Sequence, residues 1–263
     1  MAKLRKYLVV TRISLQNVIA YRSSALGGLL FYSLFIFVFF NLWRAIYKGG
    51  EVTGYSLTQM IWYLCITELV VFGCRSGVYN QMNDDVKSGS IAYQLNRPYH
   101  YVMFQFFNAL GNMVFNLVIY GILAIILGLI MAGPIPGFSF ASLPFALISV
   151  FLGIIINFFF MITLGLTAFR LEENFAFYLI YQKLVFMLGM FIPVEFLPKW
   201  LQSIALYLPF SYVAWAPARL VVAFSWDLFW QVIPVQLVWA LVSILMSLGM
   251  YSYGVKGIQA HGG

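Results

Sequence analysis

The sequence predicts an all-α polytopic membrane protein with six transmembrane helices, and its composition is the first observation that does so. Of its 263 residues, 63% are hydrophobic and 9% are charged, whereas soluble domains have about 45–50% and about 25%. So few charged residues cannot cover the exposed shell of a soluble fold, which excludes a soluble enzyme. A disordered chain is excluded too, because disorder requires low hydrophobicity and high net charge.

The second observation is the length of the stretches without charge. Residues 23–43, 98–169 and 228–255 form runs of 21, 72 and 28 residues that carry no formal charge. A helix needs about 20 apolar residues to cross the hydrocarbon layer. The longest run therefore holds two spans, separated by the turn that the Gly-Pro-Ile-Pro-Gly sequence at 133–137 predicts.

Six spans follow in chain order, and all are helical because an open sheet edge cannot be satisfied in lipid. They are predicted at about 24–45, 56–79, 104–132, 143–169, 175–192 and 229–254. The second contains Glu68 and Arg75, and the fifth contains Lys183. We expect residues 1–263 to form a single transmembrane domain.

Ahead of the first span, residues 3–22 predict an amphipathic helix on the membrane surface. Successive residues turn by about 100°, which gathers apolar side chains into one stripe. The stripe contains Leu4, Tyr7, Leu8, Leu15, Val18 and Ile19. Val9, Val10 and Ile13 interrupt the other face, so we expect this helix to pack against other helices as well as against lipid.

The basic residues predict the orientation of the chain. With the amino terminus inside, the inner segments hold 11 of the 15 basic residues: Lys3, Arg5, Lys6, Arg12, Arg22, Arg75, Lys87, Arg97, Arg170, Lys183 and Lys256. The outer segments hold Arg44, Lys48, Lys199 and Arg219. The positive-inside rule then places both termini in the cytoplasm, and we expect the protein in the plasma (inner) membrane. No single basic footprint results, so we expect no nucleic-acid partner.

Catalytic and metal-binding patterns are missing from the sequence. Cys65 and Cys74 are nine residues apart on one predicted helix and point to opposite faces. His100 and His261 have no nearby carboxylate or cysteine in the sequence. No Gly-x-x-x-x-Gly-Lys-Ser/Thr loop occurs. We therefore expect no catalytic residue, metal or cofactor in this chain, and an integral-membrane enzyme is not favoured.

Glu68 is the acidic residue placed deep in a predicted span. Such a group costs at least about 2.5 kcal/mol to insert, so it should face a bundle interior, a partner chain or water. Arg75 is on nearly the same face, but roughly 10 Å along the axis, which argues against a salt bridge. Two interpretations stay open: Glu68 and Arg75 line a translocation path or subunit interface, or Glu68 is a structural hydrogen-bond partner. Lys183 is expected to snorkel toward Glu172 and Glu173.

The inner loop at 83–98 is the first of two segments with a distinctive pattern. Asn83 or Asp84 is a candidate cap for a short helix, with Asp85 favourable at its positive end. Pro98 closes the segment. Ile91 and Leu95 are four apart and would present an apolar knob to the cytoplasm. A solvated connector is the alternative interpretation.

The second distinctive segment is the outer one, at 193–226. Four prolines interrupt an otherwise apolar stretch, at positions 193, 198, 209 and 217. Such a stretch cannot form one spanning helix, so it predicts a re-entrant hairpin of short helices in the outer leaflet, tolerated where protein buries its backbone. Trp200, Trp215 and Trp226 fit the aromatic belt at the interface.

Both segments resemble those of type-2 ATP-binding-cassette (ABC) exporter permeases. The hairpin resemblance is carried by Gly189, Ile192, Pro193, Phe196, Leu197, Pro198, Lys199, Trp200, Leu201, Leu208, Pro209 and Phe210. The inner run Ser-Gly-Ser-Ile-Ala-Tyr-Gln-Leu-Asn-Arg-Pro at 88–98 is similar to that family's coupling segment between spans two and three. Within the inner loop, the residues expected to couple to the ATPase are Asp84, Asp85, Ser88, Gly89, Ile91, Leu95, Arg97 and Pro98.

The resemblance implies a stand-alone permease subunit of an ATP-driven exporter, without a fused ATPase. Two ATP-binding-cassette ATPase subunits would bind ATP and Mg, and a second permease, identical or related, would pair with this one among membrane lipids. The cargo would be an amphiphile, such as a lipid-linked glycan, lipid, peptide or drug. The alternative is an ion-coupled secondary carrier that works without an ATPase. Such carriers often show inverted repeats, and the two halves of this sequence show no convincing symmetry.

Overall fold

In the computed structural model, which describes residues 2–20, 25–49, 54–171 and 173–261, the chain is all-helical and those ranges contain no strand. The helices are α1 (Ala2–Ala20), α2 (Ala25–Lys48), α3 (Leu57–Gly73), α4 (Val78–Lys87), α5 (Ile91–Leu95), α6 (Tyr101–Ala132), α7 (Leu143–Leu166), α8 (Phe175–Val185), α9 (Lys199–Tyr207), α10 (Pro209–Val222) and α11 (Trp226–His261). A π-helical turn, Phe186–Phe191, extends α8. The predicted all-α membrane class is confirmed.

Five stretches are long and apolar enough to cross a membrane. They are Leu26–Lys48, Leu57–Lys87, Tyr101–Ala132, Phe140–Phe169 and Trp226–Lys256. The fifth predicted span corresponds to a shorter apolar helix, Phe175–Phe191, and the predicted hairpin to α9 and α10, which meet at 99°. Length alone therefore gives five spans. Contacts at the helix ends show whether α8 and the hairpin connect the two ends of the bundle.

One end of the helix bundle is marked by α1, and we call it the α1 end. The Ser14 hydroxyl donates to the carbonyl oxygen of Asn108 at 2.6 Å, which joins α1 to the first turns of α6. The Tyr251 ring stacks on Tyr101 with centroids 6.2 Å apart, which brings the last turns of α11 to the same place. The amino-terminal helix and the end of the last helix therefore share one end of the bundle.

The opposite end carries the hairpin, and we call it the hairpin end. The Trp62 indole N–H, in the second turn of α3, donates to the carbonyl oxygen of Gly133 after α6, at 2.8 Å. Phe145, at the start of α7, packs edge-on against Trp226, at the start of α11, with centroids 4.8 Å apart. The helices α6, α7 and α11 and the α3–α4 pair therefore each run from one end to the other.

The short helix α8 also connects the two ends. Asn174, just before it, donates to the carbonyl oxygen of Leu164 near the end of α7, whereas Phe196, just after its π-helical turn, packs on Tyr55 ahead of α3 at 5.5 Å. The helix α2 is one of the five long apolar stretches, and its Tyr47 hydroxyl donates to the carbonyl oxygen of Tyr55 at the hairpin end. Counting α8 as well gives six candidate spans among the described residues, the predicted number, whereas length alone gives five.

The second predicted span, 56–79, was expected to be continuous, and it is broken. The helix α3 begins with a capping box in which Ser56 and Gln59 bond each other's backbone, and it ends at Gly73. Residues 74–77 form a turn whose Gly77 has φ +65°, a left-handed conformation that favours glycine. The helix α4 then continues to Lys87. The break lies near the middle of the bundle, because Gly73 faces Leu117 halfway along α6.

The packed face of α1 differs from the side on which the sequence predicts helix packing. Ser14 is buried, and a Cβ added at Gly111 of α6 would lie 2.6 Å from the backbone nitrogen of Leu15. Val9 and Ile13, on the side expected to pack against other helices, are instead 48% and 51% exposed. The glycine on α6 lets the two helices approach closely and so decides which face is buried. The membrane-surface role of α1 stays a prediction.

Candidate functional site

The helices α9 and α10 form a re-entrant hairpin whose turn reaches into the bundle. A Cβ added at Gly153 of α7 would lie 2.6 Å from the carbonyl oxygen of Val213, and one at Gly189 would lie 2.6 Å from that of Phe210. Gly153 is more than two turns inside α7, so the start of α10 sits well below the hairpin end. The other end of the hairpin returns to that end, where Phe224 packs on Phe145.

Buried polar groups hold the turn of this hairpin at that depth. The Gln236 amide of α11 donates to the carbonyl oxygens of Ser149 and Tyr212 at 3.1 and 2.9 Å, and accepts from the Ser149 hydroxyl at 2.8 Å. The Ser211 hydroxyl bonds the carbonyl oxygens of Leu188 and Ala205. The backbone carbonyl groups at the ends of these broken helices are thus hydrogen-bonded inside the protein. Such pairing is required where the surroundings are apolar.

The arm leading into the hairpin is fixed by an ion pair. Glu195 forms a salt bridge with Arg219, with Nε and Oε1 2.9 Å apart, and accepts a hydrogen bond from the Trp215 indole N–H at 3.0 Å. Trp215 is therefore buried, at 4% exposure, and its predicted place in the interfacial belt is wrong. Trp200 and Trp226 are exposed, at 67% and 53%, as a belt position requires.

The other hairpin residues named from the sequence take different places. Phe196 packs on Trp43 and Tyr55. Pro193 and Pro198 directly precede a short 3₁₀ turn, Val194–Phe196, and α9. Pro209 is the first residue of α10, where a missing N–H costs little, and Phe210 packs on Tyr181 of α8.

A cavity of about 330 Å³ lies at the break between α3 and α4. Its walls come from α2, α3, α4, α7 and α8. Buried residues form its floor, among them Glu68 and Tyr181. Exposed residues form its rim, among them Phe31, Arg75 and Lys183. The structure thus brings together Glu68, Arg75 and Lys183, the charged residues of the second and fifth predicted spans.

Glu68 is 1% exposed and borders this cavity. Neither of its carboxylate oxygens has a hydrogen-bond partner within the described ranges. A purely structural carboxylate would be expected to show such a partner. Its position favours the first of the two interpretations left open by the sequence, a group that faces a ligand path.

Arg75 lies in the turn between the two helices and makes no salt bridge with Glu68, as the sequence spacing predicts. Its guanidinium carbon is 4.6 Å from the centroid of the Phe72 ring, and its carbonyl oxygen accepts from Asn116 of α6 at 3.1 Å. Lys183 was expected to reach toward Glu172 and Glu173. Glu173 instead lies 3.9 Å from Lys87, and Glu172 is outside the described residues.

The predicted coupling segment at 83–98 lies at the α1 end, and its local structure differs from the prediction. Asn83, Asp84 and Asp85 belong to the last turns of α4, so none of them caps the short helix α5. A turn through Ser88 and Gly89, with φ +72° at the glycine, connects the two helices.

The side chain of Asp85 acts as a clamp on this segment. It accepts from the Ser90 hydroxyl at 2.9 Å and from the Tyr101 hydroxyl at 2.5 Å. It therefore ties the start of α5 to the start of α6, beside the end of α4.

The predicted apolar knob is wrong for Ile91, which is 1% exposed and packs into a core cluster with Tyr101 and Val102. Leu95 packs partly against the same cluster. The exposed apolar side chain of α5 is Tyr93, at 78%, on the other face of the helix. Sequence reasoning missed it because an apolar pair four residues apart marks one face without saying whether that face meets the core.

Exposed residues close the coupling segment. Arg97 and Pro98 are both on the surface, and the Lys6 ammonium of α1 donates to the Pro98 carbonyl oxygen at 2.5 Å.

Asn174 is a second residue that the sequence did not single out. It is fully buried, accepts from the Tyr79 hydroxyl at 2.8 Å, and donates to Leu164 and Thr167, both at 3.0 Å. These bonds join α4 to the end of α7. Its only sequence signal is its place between Glu173 and an apolar run, which is typical of a helix cap.

Comparisons with known proteins identify the family. No curated protein matches the chain. The profile of the ABC-2 family transporter proteins matches residues 29–262, nearly the whole sequence. The matched range includes the broken helix, the segment at 83–98 and the hairpin of α9 and α10. The chain therefore belongs to the ABC-2 transporter family and is a transmembrane component of an ABC transporter.

Proposed function

We propose that the chain is the permease of an ATP-driven exporter and that its separate ATPase subunits bind the segment at 83–98. Membership of the ABC-2 family implies an ABC ATPase partner. The observation that supports the docking place is the exposed surface of Tyr93, Arg97 and Pro98 at the α1 end. Aromatic residues and arginine are both enriched at protein interfaces.

The proposed orientation puts the α1 end in the cytoplasm. Basic residues collect there: Lys87 pairs with Glu173, Arg170 lies 4.2 Å from the Tyr253 ring, and Lys6 contacts Pro98. The positive-inside rule favours this end as the cytoplasmic one. The hairpin of α9 and α10 then occupies the outer leaflet.

Nucleotide-driven movement would reach the cavity through α4. This helix is continuous from the Asp85 clamp to Val78 at the cavity wall, and it ends at the glycine turn of Gly77. Because Asn174 bonds Tyr79, a movement of α4 also shifts the link between α7 and α8. Closure of the ATPases would thus be transmitted as a rigid-body movement of helices.

The complete transporter is proposed to contain two ATPase subunits, which carry ATP and Mg, and a second permease, either identical or related. Exposed apolar side chains along α2, such as Leu30 at 73% and Leu34 at 60%, leave a surface for lipid or for that permease. The cargo is proposed to be an amphiphile moved out of the cytoplasm or across the bilayer, since the path is lined mainly by apolar and aromatic groups.

The docking surface is tested with Tyr93→Asp. We expect this variant to insert and fold normally, because the side chain is exposed. The amount of ATPase that co-purifies with the permease should fall at least about tenfold. Tyr is enriched among interface hot spots, whose truncation costs about 2 kcal/mol or more. The measurement is the amount of ATPase subunit retained on affinity-tagged permease.

Phe140→Asp is the matched control, since Phe140 is 80% exposed at the hairpin end. It should leave the retained ATPase unchanged. Equal retention by wild type and Tyr93→Asp would contradict the docking place. Cargo movement by the purified chain alone, driven by an ion gradient, would contradict the proposed function and favour a secondary carrier.

A further inference from the structure

We propose that the cavity at the α3–α4 break is a binding site for a zwitterionic amphiphile, with an ammonium group held at Glu68 and an anionic group held at Arg75 and Lys183. The inference rests on the proposed function, because it assigns a cargo class to the permease. Its test measures binding to the isolated chain, so it can fail while ATPase association persists.

The buried floor of the cavity favours the binding of a cationic group. The Glu68 carboxylate is almost fully buried and has no hydrogen-bond partner in the described part of the chain. Leaving a carboxylate both buried and unpaired is costly. An ammonium group entering the cavity would supply the missing donors and the opposite charge, and charge-assisted hydrogen bonds are among the stronger ones.

The exposed rim of the cavity favours the binding of an anionic group. Arg75 and Lys183 both line the cavity and are exposed, and the salt bridges seen among the described residues involve neither of them. Arg75 is held in place because Phe72 supports its guanidinium and Asn116 bonds its carbonyl oxygen. Its guanidinium therefore remains free to bind a phosphate or carboxylate in a bidentate manner.

The arrangement of the charged groups does not suit a simple ion. Glu68 lies in α3 on the cavity floor and Arg75 lies in the turn after α3 on the rim, and no salt bridge among the described residues joins them. An anion alone would leave Glu68 unpaired, and a cation alone would sit beside two like charges. A group that carries both charges a few bonds apart satisfies all three side chains.

The walls and the rim favour an apolar body on the same molecule. Phe35 and Phe186 meet edge-to-face across the cavity wall, with centroids 6.4 Å apart. Phe31 is 56% exposed at the rim and lies on α2, which passes through the membrane. An acyl or aromatic tail could thus leave the cavity toward lipid while the charged headgroup stays inside.

The experiment measures binding of lysophosphatidylethanolamine to the purified full-length permease in a maltoside detergent by native mass spectrometry. Lysophosphatidylglycerol lacks the ammonium group, hexadecylamine lacks the anion, and free phosphoethanolamine lacks the tail. We expect the wild type to bind the first probe at least about tenfold more tightly than each of the other three.

Two variants separate the charges. Glu68→Gln should weaken lysophosphatidylethanolamine binding at least about tenfold and leave lysophosphatidylglycerol binding unchanged, whereas Arg75→Gln should weaken both. Glu173→Gln and Arg44→Gln, exposed residues outside the cavity, are the matched controls and should change neither.

Several outcomes would overturn the inference. Equal binding of lysophosphatidylglycerol or of hexadecylamine by the wild type excludes the zwitterion, and equal binding of free phosphoethanolamine excludes the amphiphile. An unchanged affinity for lysophosphatidylethanolamine in Glu68→Gln excludes the role of that carboxylate. If Glu68→Gln does not fold, the comparison of the four probes on the wild type and on Arg75→Gln decides the question.

Discussion

Gly153→Leu is expected to remove nearly all folded permease from the membrane. The new side chain would start 2.6 Å from the carbonyl oxygen of Val213 and 3.2 Å from that of Tyr212. Both obstacles are backbone atoms of the re-entrant α10, so neither can rotate away. Overpacking a tight site costs about 1–3 kcal/mol and occasionally more, and here the hairpin itself must be displaced.

The measurement for this variant is the yield of monodisperse protein in size-exclusion chromatography, together with its melting temperature. Gly249→Leu is the matched control, because a Cβ added at Gly249 of α11 meets nothing within 4 Å. It should behave as the wild type. A normal yield and melting temperature for Gly153→Leu would show that the turn of the hairpin does not pack against α7.

Asn174→Ala is expected to detach α4 from the end of α7. The substitution leaves the buried hydroxyl of Tyr79 without its acceptor and removes one of the bonds to the carbonyl oxygen of Leu164, which keeps its bond from the Thr167 hydroxyl. A buried group left unpaired costs about 1–3 kcal/mol. We expect the melting temperature to fall by several degrees and the amides of α4 to exchange hydrogen faster, as measured by mass spectrometry.

Asn41→Ala is the control for this change. Asn41 is exposed on α2 and, among the described residues, bonds only the carbonyl oxygen of Phe37 in its own helix, so its loss should cost less than about 0.5 kcal/mol. Tyr79→Phe removes one of the bonds to Asn174 and should have an intermediate effect. Unchanged exchange along α4 in Asn174→Ala would contradict the proposed transmission of movement through this helix.

The sequence predicts the number of passes because the thickness of the bilayer fixes the length of an apolar run. It does not predict the break at 74–77. A helix passing through Gly73 and Gly77 is as compatible with composition as a broken one, and the break becomes visible only where Leu117 packs on Gly73 and Asn116 bonds the carbonyl oxygen of Arg75.

The faces of helices are the other feature that the sequence leaves open. Periodicity identifies Ile91 and Leu95 as one face of α5, but the contact with Tyr101 that buries Ile91 comes from a different part of the chain. Trp215 similarly has the composition of a belt residue, and its burial depends on an acceptor, Glu195, twenty residues earlier. Such long-range contacts decide which predicted residues reach the candidate site.

The length of the fifth pass has a consequence for the surrounding lipid. Phe175–Phe191 has 17 residues, and at about 1.5 Å per residue it covers roughly 25 Å, less than the roughly 30 Å of an average hydrocarbon core. Hydrophobic mismatch of this kind is relieved by thinning of the adjacent leaflets or by oligomerisation. The same helix contributes Lys183 to the cavity rim. Thinning of the leaflets beside it would therefore shorten the distance that a polar headgroup travels through hydrocarbon.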